Sequence, residues 1–191
     1  LFPYTTLFRS IYKRNIELTY GANGGSTTPE KQIKTVIYNT VLKLEEVEAT
    51  FKLDKTTTRT GYTLEGWSET LNGETVYKEE ITIKNNTKDY AVWKAANFNV
   101  IYDYGTNGGS NENRSQSVTY LTNIPLPEDG EKEGYVFVGW NTNKDAKEGL
   151  TEIEMPSKDI TIYAIYKQEV KATWILVDNA AGSVKEESTT C

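Results

Sequence analysis

Gly134-Tyr135-Val136-Phe137-Val138-Gly139-Trp140 repeats Gly61-Tyr62-Thr63-Leu64-Glu65-Gly66-Trp67 at a displacement of 73 (134 − 61). A recurrence of this kind sets the architecture before any single element is assigned, because each copy becomes one folding unit. Working outward, Tyr90-Ala91-Val92-Trp93 returns at the same displacement as Tyr163-Ala164-Ile165-Tyr166. Upstream, Asn23-Gly24-Gly25-Ser26 returns as Asn107-Gly108-Gly109-Ser110, displaced by 84 (107 − 23). The first copy therefore carries 11 extra residues (84 − 73), expected near 44–56.

Each Asn-Gly-Gly-Ser follows a run ending in tyrosine, Ile16-Glu17-Leu18-Thr19-Tyr20 or Val100-Ile101-Tyr102-Asp103-Tyr104. β-branched and aromatic residues closed by a glycine-rich turn read as strands. About four strands per copy follow, in a unit small enough that only about 60% of the unfolded surface is buried, so a few aromatic residues must form much of the core. The Gly66-Trp67 and Gly139-Trp140 pairs suit that role, glycine allowing a bulge and tryptophan plugging the core. In the inserted segment the spacing of Leu44, Val47 and Phe51 predicts a short amphipathic helix over 44–53.

The domain reading is 1–10, 11–96, 97–168 and 169–191. Leu1 to Ser10 reads like a translated sequencing adapter, a disordered scar rather than part of a fold. Residues 11–96 and 97–168 are the two full modules. Residues 169–191 open a third copy, in which Gly182-Ser183 stands 73 beyond Gly109-Ser110.

Composition removes whole classes of chemistry. The 191 residues include 27 acidic and 21 basic side chains, for a net charge of −6, which argues against a partner built on a phosphate backbone. There is no histidine and a single cysteine, which excludes serine triads, Cys/His dyads and His-ligated zinc. No run of about 18 apolar residues provides a membrane span. The expectation is a non-enzymatic chain with no cofactor, no metal, no nucleic-acid partner and no membrane insertion in this stretch.

Strand, Asn-Gly-Gly, polar stretch, Gly-Tyr-x-x-x-Gly-Trp and a closing strand ending in Ala-x-Trp or Ala-x-Tyr, in that order and twice, resemble the Listeria/Bacteroides repeat, the B-repeat of internalin-type surface proteins. Asn99 to Lys167 matches throughout; the first copy matches at Ile16 to Ser26 and Thr60 to Lys94. The resemblance implies a mainly β, β-grasp-like (ubiquitin-like α+β) module strung in tandem on secreted or wall-anchored bacterial proteins. It implies a stalk or spacer role, or alternatively a module that contacts host glycoprotein, glycan or neighbouring repeats directly. It brings no catalytic residues.

The motif residues read as structural are Asn23, Gly24, Gly25, Gly61, Tyr62, Gly66 and Trp67 in the first copy, and Asn107, Gly108, Gly109, Gly134, Tyr135, Gly139 and Trp140 in the second. Trp67, Trp140 and Trp93 are the candidate ligand contacts, as flat rings on which a sugar could stack, although recurrence at one strand position favours core. Asn141, Asn143, Asp145 and Glu152 approach calcium-loop spacing, but Ala146 stands where the sharp turn needs glycine. Glu45, Glu46 and Glu48 could supply paired carboxylates only if two of them faced each other across a cleft. Lys84, Asn85 and Glu80 are candidates for an intramolecular isopeptide link.

Overall fold

The computed structural model describes residues 10–39, 42–71, 73–177 and 184–190. The scar assigned to 1–10 and the Gly182-Ser183 landmark of the third copy thus lie outside the described residues, save for Ser10. The chain divides into two units, 1–96 and 97–191.

In the first unit the strands are β1 (Ile11–Gly21), β2 (Gln32–Asn39), β3 (Ala49–Lys52), β4 (Tyr62–Ser68), β5 (Glu80–Ile83) and β6 (Thr87–Ala95). Four of them form a sheet in the order β2-β1-β6-β4, and β3 pairs with β5. The centre of the sheet is a parallel pair, β1 and β6, joined from Leu18↔Thr87 to Gly21↔Tyr90. Alternation on β1 buries Ile16, Leu18 and Tyr20, which pack with Phe51, Ile81, Ile83, Trp67 and Ala91. Burial of such side chains supplies about 25 cal/mol per Å² of apolar surface, the main favourable term in a unit this small.

The second unit rebuilds the same sheet from β7 (Asn97–Asp103), β8 (Arg114–Thr119), β9 (Tyr135–Asn141) and β10 (Ile160–Gln168), ordered β8-β7-β10-β9 with β7 parallel to β10. Where the first unit has the β3–β5 pair, the second has a single bridge, Asn123↔Glu154, flanked by backbone bonds from Leu121 to Met155 and from Ile124 to Ile153. Its core holds Val100, Tyr102, Tyr104, Trp140, Met155 and Ile162. A further antiparallel hairpin, β11 (Lys171–Val177) with β12 (Val184–Thr190), follows. The mainly β class and the tandem modules are present as the sequence suggested.

The helix expected over 44–53 is not. Leu44–Glu46 form one 3-10 turn, and Ala49–Lys52 run on as β3. Val47, Ala49, Phe51 and Leu53 are all buried while Leu44 is exposed, so the period-2 pattern of that stretch, not the 3.6-residue one, meets the core. The extra residues of the first copy fall between Gln32 and Asp54. Gln32 pairs with Leu18 and Gln116 with Val100, a displacement of 84 (116 − 32). The indole acceptors Asp54 and Pro127 are displaced by 73 (127 − 54). They lengthen the β1–β2 hairpin and form β3.

One correspondence read from the sequence shifts by two residues. Tyr20 lies opposite Asp89 and Tyr102 opposite Ile162. The sheet partners are displaced by 73 (162 − 89) but the tyrosines by 82 (102 − 20), so the counterpart of Tyr20 is Tyr102 and not Tyr104. The second copy takes up the difference at Gly105 and Thr106, where Asn113 Oδ1 accepts from the Tyr104 and Gly105 amides and Asp103 Oδ1 from that of Thr106. Tyr104 is thereby an additional ring in the second core.

Candidate functional site

The tryptophans come first. Trp67 and Trp140 are fully enclosed, with relative exposures of 0% and 1%. Each indole donates to a backbone carbonyl, Trp67 Nε1 to Asp54 at 2.6 Å and Trp140 Nε1 to Pro127 at 2.7 Å. Tyr20 meets Trp67 edge-on at 4.6 Å between centroids, and Tyr102, Tyr104 and Phe137 surround Trp140 at 5.3, 4.8 and 5.8 Å. Neither indole presents an open face to a ligand. Trp93 is partly buried and donates from Nε1 to Ala22 O at 3.0 Å.

The Asn-Gly-Gly turns are built from the same parts in both modules. Asn23 Nδ2 donates to Ala91 O at 3.0 Å and Asn107 Nδ2 to Ala164 O at 2.8 Å, tying each turn to the central strand. Gly24 and Gly108 adopt φ of 85° and 78°, which only glycine reaches without strain. Gly25 and Gly109 lie against the Trp93 ring and the Tyr166 hydroxyl, where a methyl group would collide. Across each turn a cation rests on the tyrosine of the Gly-Tyr motif: Arg59 is 4.0 Å from the Tyr62 centroid, and Lys132 Nζ is 3.9 Å from that of Tyr135.

Gly66 and Gly139 sit at a bulge in β4 and β9, with φ of 153° and 121°. A groove opens beside each. In the first module it is about 250 Å³ and its lining is mostly charged, with Asp54, Lys55, Glu65, Lys78 and Glu79, and Lys55 Nζ is 2.7 Å from Glu79 Oε1. In the second it is about 550 Å³ and mixed, with Leu126, Pro127, Phe137, Val138 and Leu150 beside Glu128 and Thr151. The groove at this position thus differs in volume and in charge between the two copies.

The other candidates dissolve into local structure. Asn141 Oδ1 accepts from the Asn143 amide and Asn143 Oδ1 from that of Asp145, so the side chains of the calcium-like loop hold their own turn. Among the described residues no group of three or more acidic or thiol side chains could hold a metal ion. Glu46 Oε2 accepts from the Lys43 amide in the 3-10 turn, and Glu45 and Glu48 are exposed. Asn85 Oδ1 is held by Arg14, which also donates to Lys84 O, while Glu80 is exposed.

Two arrangements lay outside the sequence reading. In the second module Arg114 Nη2 contacts both Asp129 oxygens at 2.6 and 2.7 Å, and Tyr104 Oη donates to Asp129 Oδ1 at 2.9 Å. The bond from Tyr104, with that from Arg114, holds the Asp129 carboxyl below its ordinary range. In the first module Asp89 is fully buried, and neither of its carboxylate oxygens has a hydrogen-bond partner among the described residues. Its signal was the alternation of β6, which sets Asp89 on the same face as Ala91.

Comparison with known proteins places this geometry in context. The sequence matches the Listeria-Bacteroides repeat domain twice, over residues 17–92 and 98–165. It is 32% identical over 112 residues to Internalin H of Listeria monocytogenes, covering 56% of this chain and 19% of that protein. It is 27% identical over 126 residues to a protein of Evansella cellulosilytica described as a Gly-rich membrane protein, covering 59% of this chain and 15% of that protein. The chain therefore spans less than a fifth of either relative.

Proposed function

As the chain belongs to the Listeria-Bacteroides repeat domain family, we propose that it is a non-enzymatic repeat region of a secreted or cell-wall-anchored bacterial surface protein, adhesin-like or internalin-like. In this role it is a stalk that sets the distance between a surface and some other part of the protein. The observation that carries this reading is the rebuilding of one sheet order, around one buried tryptophan, in consecutive modules joined through Ala96 alone. Stacking like units and connecting them briefly is how repeat proteins gain length with little new chemistry. Among the described residues no helix is long and apolar enough to cross a membrane.

The test is replacement of the two modules in the parent surface protein by an unrelated pair of β modules of equal length. A stalk predicts that surface attachment survives the exchange and is lost when both modules are simply deleted. Loss on exchange, with the replacement folded and displayed, overturns it.

A second reading, direct binding of host glycoprotein, glycan or another repeat, is favoured by one observation, the 550 Å³ groove beside Trp140, whose walls mix apolar side chains with Glu128 and Thr151. Its volume falls within the roughly 300 to 1,000 Å³ usual for a ligand site. The first module offers a charged groove at that position, so on this reading the second module would bind alone.

A further inference from the structure

The two copies differ at one core position in a way packing does not explain. Asp89 faces Tyr20 across the parallel pair of the first module, and Ile162, also fully buried, faces Tyr102 at the same place in the second. A fold that closes over an isoleucine in one copy closes over a carboxyl group in the other. An ionised carboxylate without a donor is expensive to bury, and such a group keeps its proton instead.

Among the described residues, burial and Glu69 act on this carboxyl group and no positive charge offsets them. From β4, Ser68 pairs with Tyr90 and the next residue, Glu69, adds a second negative charge beside Asp89. From β1 comes the Tyr20 phenol, itself pushed up by burial and acted on by Asp54 beyond it. Of the lysines at these strands, Lys31 pairs with Glu17 of β1 and Lys94 with Glu65 of β4, Lys88 lies over the ring of Tyr90, Lys34 donates to Thr50 O, and Lys13 is exposed. On the second sheet Lys52 and Glu80 are exposed to solvent.

We propose that Asp89 makes the first module an acid-tightened element, closed around a neutral carboxyl group in acid and opening more readily than the second module as that proton is lost. Burial, with Glu69 adding to it, pushes the Asp89 carboxyl up to about 6 from an ordinary 3.8. The folded state then binds the proton more tightly than the unfolded one. The contribution of Asp89 to stability is greatest below about pH 4, falls as the pH rises to about 6, and is level above that; Glu79 of the same module, lowered by Lys55 at the surface, acts weakly the other way. Asp103 and Asp129 of the second module are held below their ordinary value, so that module moves the other way in acid. If the chain is a surface repeat, such a device gives its two modules opposite responses to acid.

Amide hydrogen exchange on the full chain, at pH 4.5 and 7.0 and corrected for intrinsic exchange, tests this by comparing β6 with β10. The opening constant of β6 should rise by roughly 25-fold between the two pH values and that of β10 should not. Asp89→Ile, which installs the side chain of the sister module, and Asp89→Asn should each abolish the rise. A β6 opening constant that does not rise in the unmodified chain, or a rise that persists in Asp89→Ile, overturns the proposal.

Discussion

The indole of Trp140 donates to the carbonyl of Pro127 at 2.7 Å, in the loop that precedes β9. This bond, repeated between Trp67 and Asp54, makes each tryptophan a tie as well as a plug: the ring fills the core and its one donor pins the crossing loop over it. Removing either ring leaves a large cavity and a released carbonyl. Trp67→Ala and Trp140→Ala should each destabilise their own module by about 3 to 5 kcal/mol, read by urea unfolding of the full chain. A loss under about 1 kcal/mol would show that the rings are not core.

Asn107 joins its turn to the central strand through the bond from Nδ2 to Ala164 O at 2.8 Å. Asn107→Ala leaves that carbonyl beneath the turn without its donor, at a cost of about 1 to 2 kcal/mol. Asn23→Ala should cost more in the first module, since Asn23 makes the same bond to Ala91 and also sits at a φ of 46°, where alanine is strained. Thermal unfolding of the two variants checks both.

The bulge glycines should respond unequally. A methyl group on Gly66 would collide with the backbone carbonyl of Tyr77, whereas on Gly139 the nearest atom would be Gly149 Cα at 3.1 Å. Both substitutions place a side chain at positive φ, which alone costs about 1 to 3 kcal/mol. Gly66→Ala should therefore be the more destabilising, and equal losses in urea unfolding would contradict the collision.

Acid should weaken the second module through Asp129. Its carboxyl is held down by the Tyr104 hydroxyl and then by Arg114, so the stabilisation is present above about pH 4, the unfolded range, and is lost as the pH falls through the depressed value. The pair is half exposed, so the effect is modest and screened by salt. Tyr104→Phe should make the acid limb of stability for β7–β10 shallower. An unchanged limb by hydrogen exchange would remove Asp129 from the account.

Much of the architecture was legible because it was written twice. The displacements of 73 and 84 marked the repeat, and the run Ile16 to Tyr20 read as a strand entering a turn, as the end of β1 is. Leu44 to Leu53 misled because Leu44, Val47 and Phe51 also fit a helix, and only the partner strand β5 decides between the two periods. The two-residue shift at Gly105 and Thr106 was hidden because Tyr104 ends its run just as Tyr20 does, while sheet register depends on β10. For the candidate site, the recurrence of Trp67 and Trp140 pointed to core, and the grooves beside them were not readable, since lining residues such as Leu126 and Leu150 are far apart in the chain. Asp89 could have been found from alternation alone, but its lack of partners could not.

The stalk reading is tested most directly by titrating the full chain against a panel of glycans and host matrix proteins, alongside Phe137→Ser and Leu126→Ser in the groove beside Trp140 and circular dichroism on each variant. The account predicts no saturable binding by the chain. Saturable binding that disappears in a groove variant that remains folded would contradict it and make the second module a receptor.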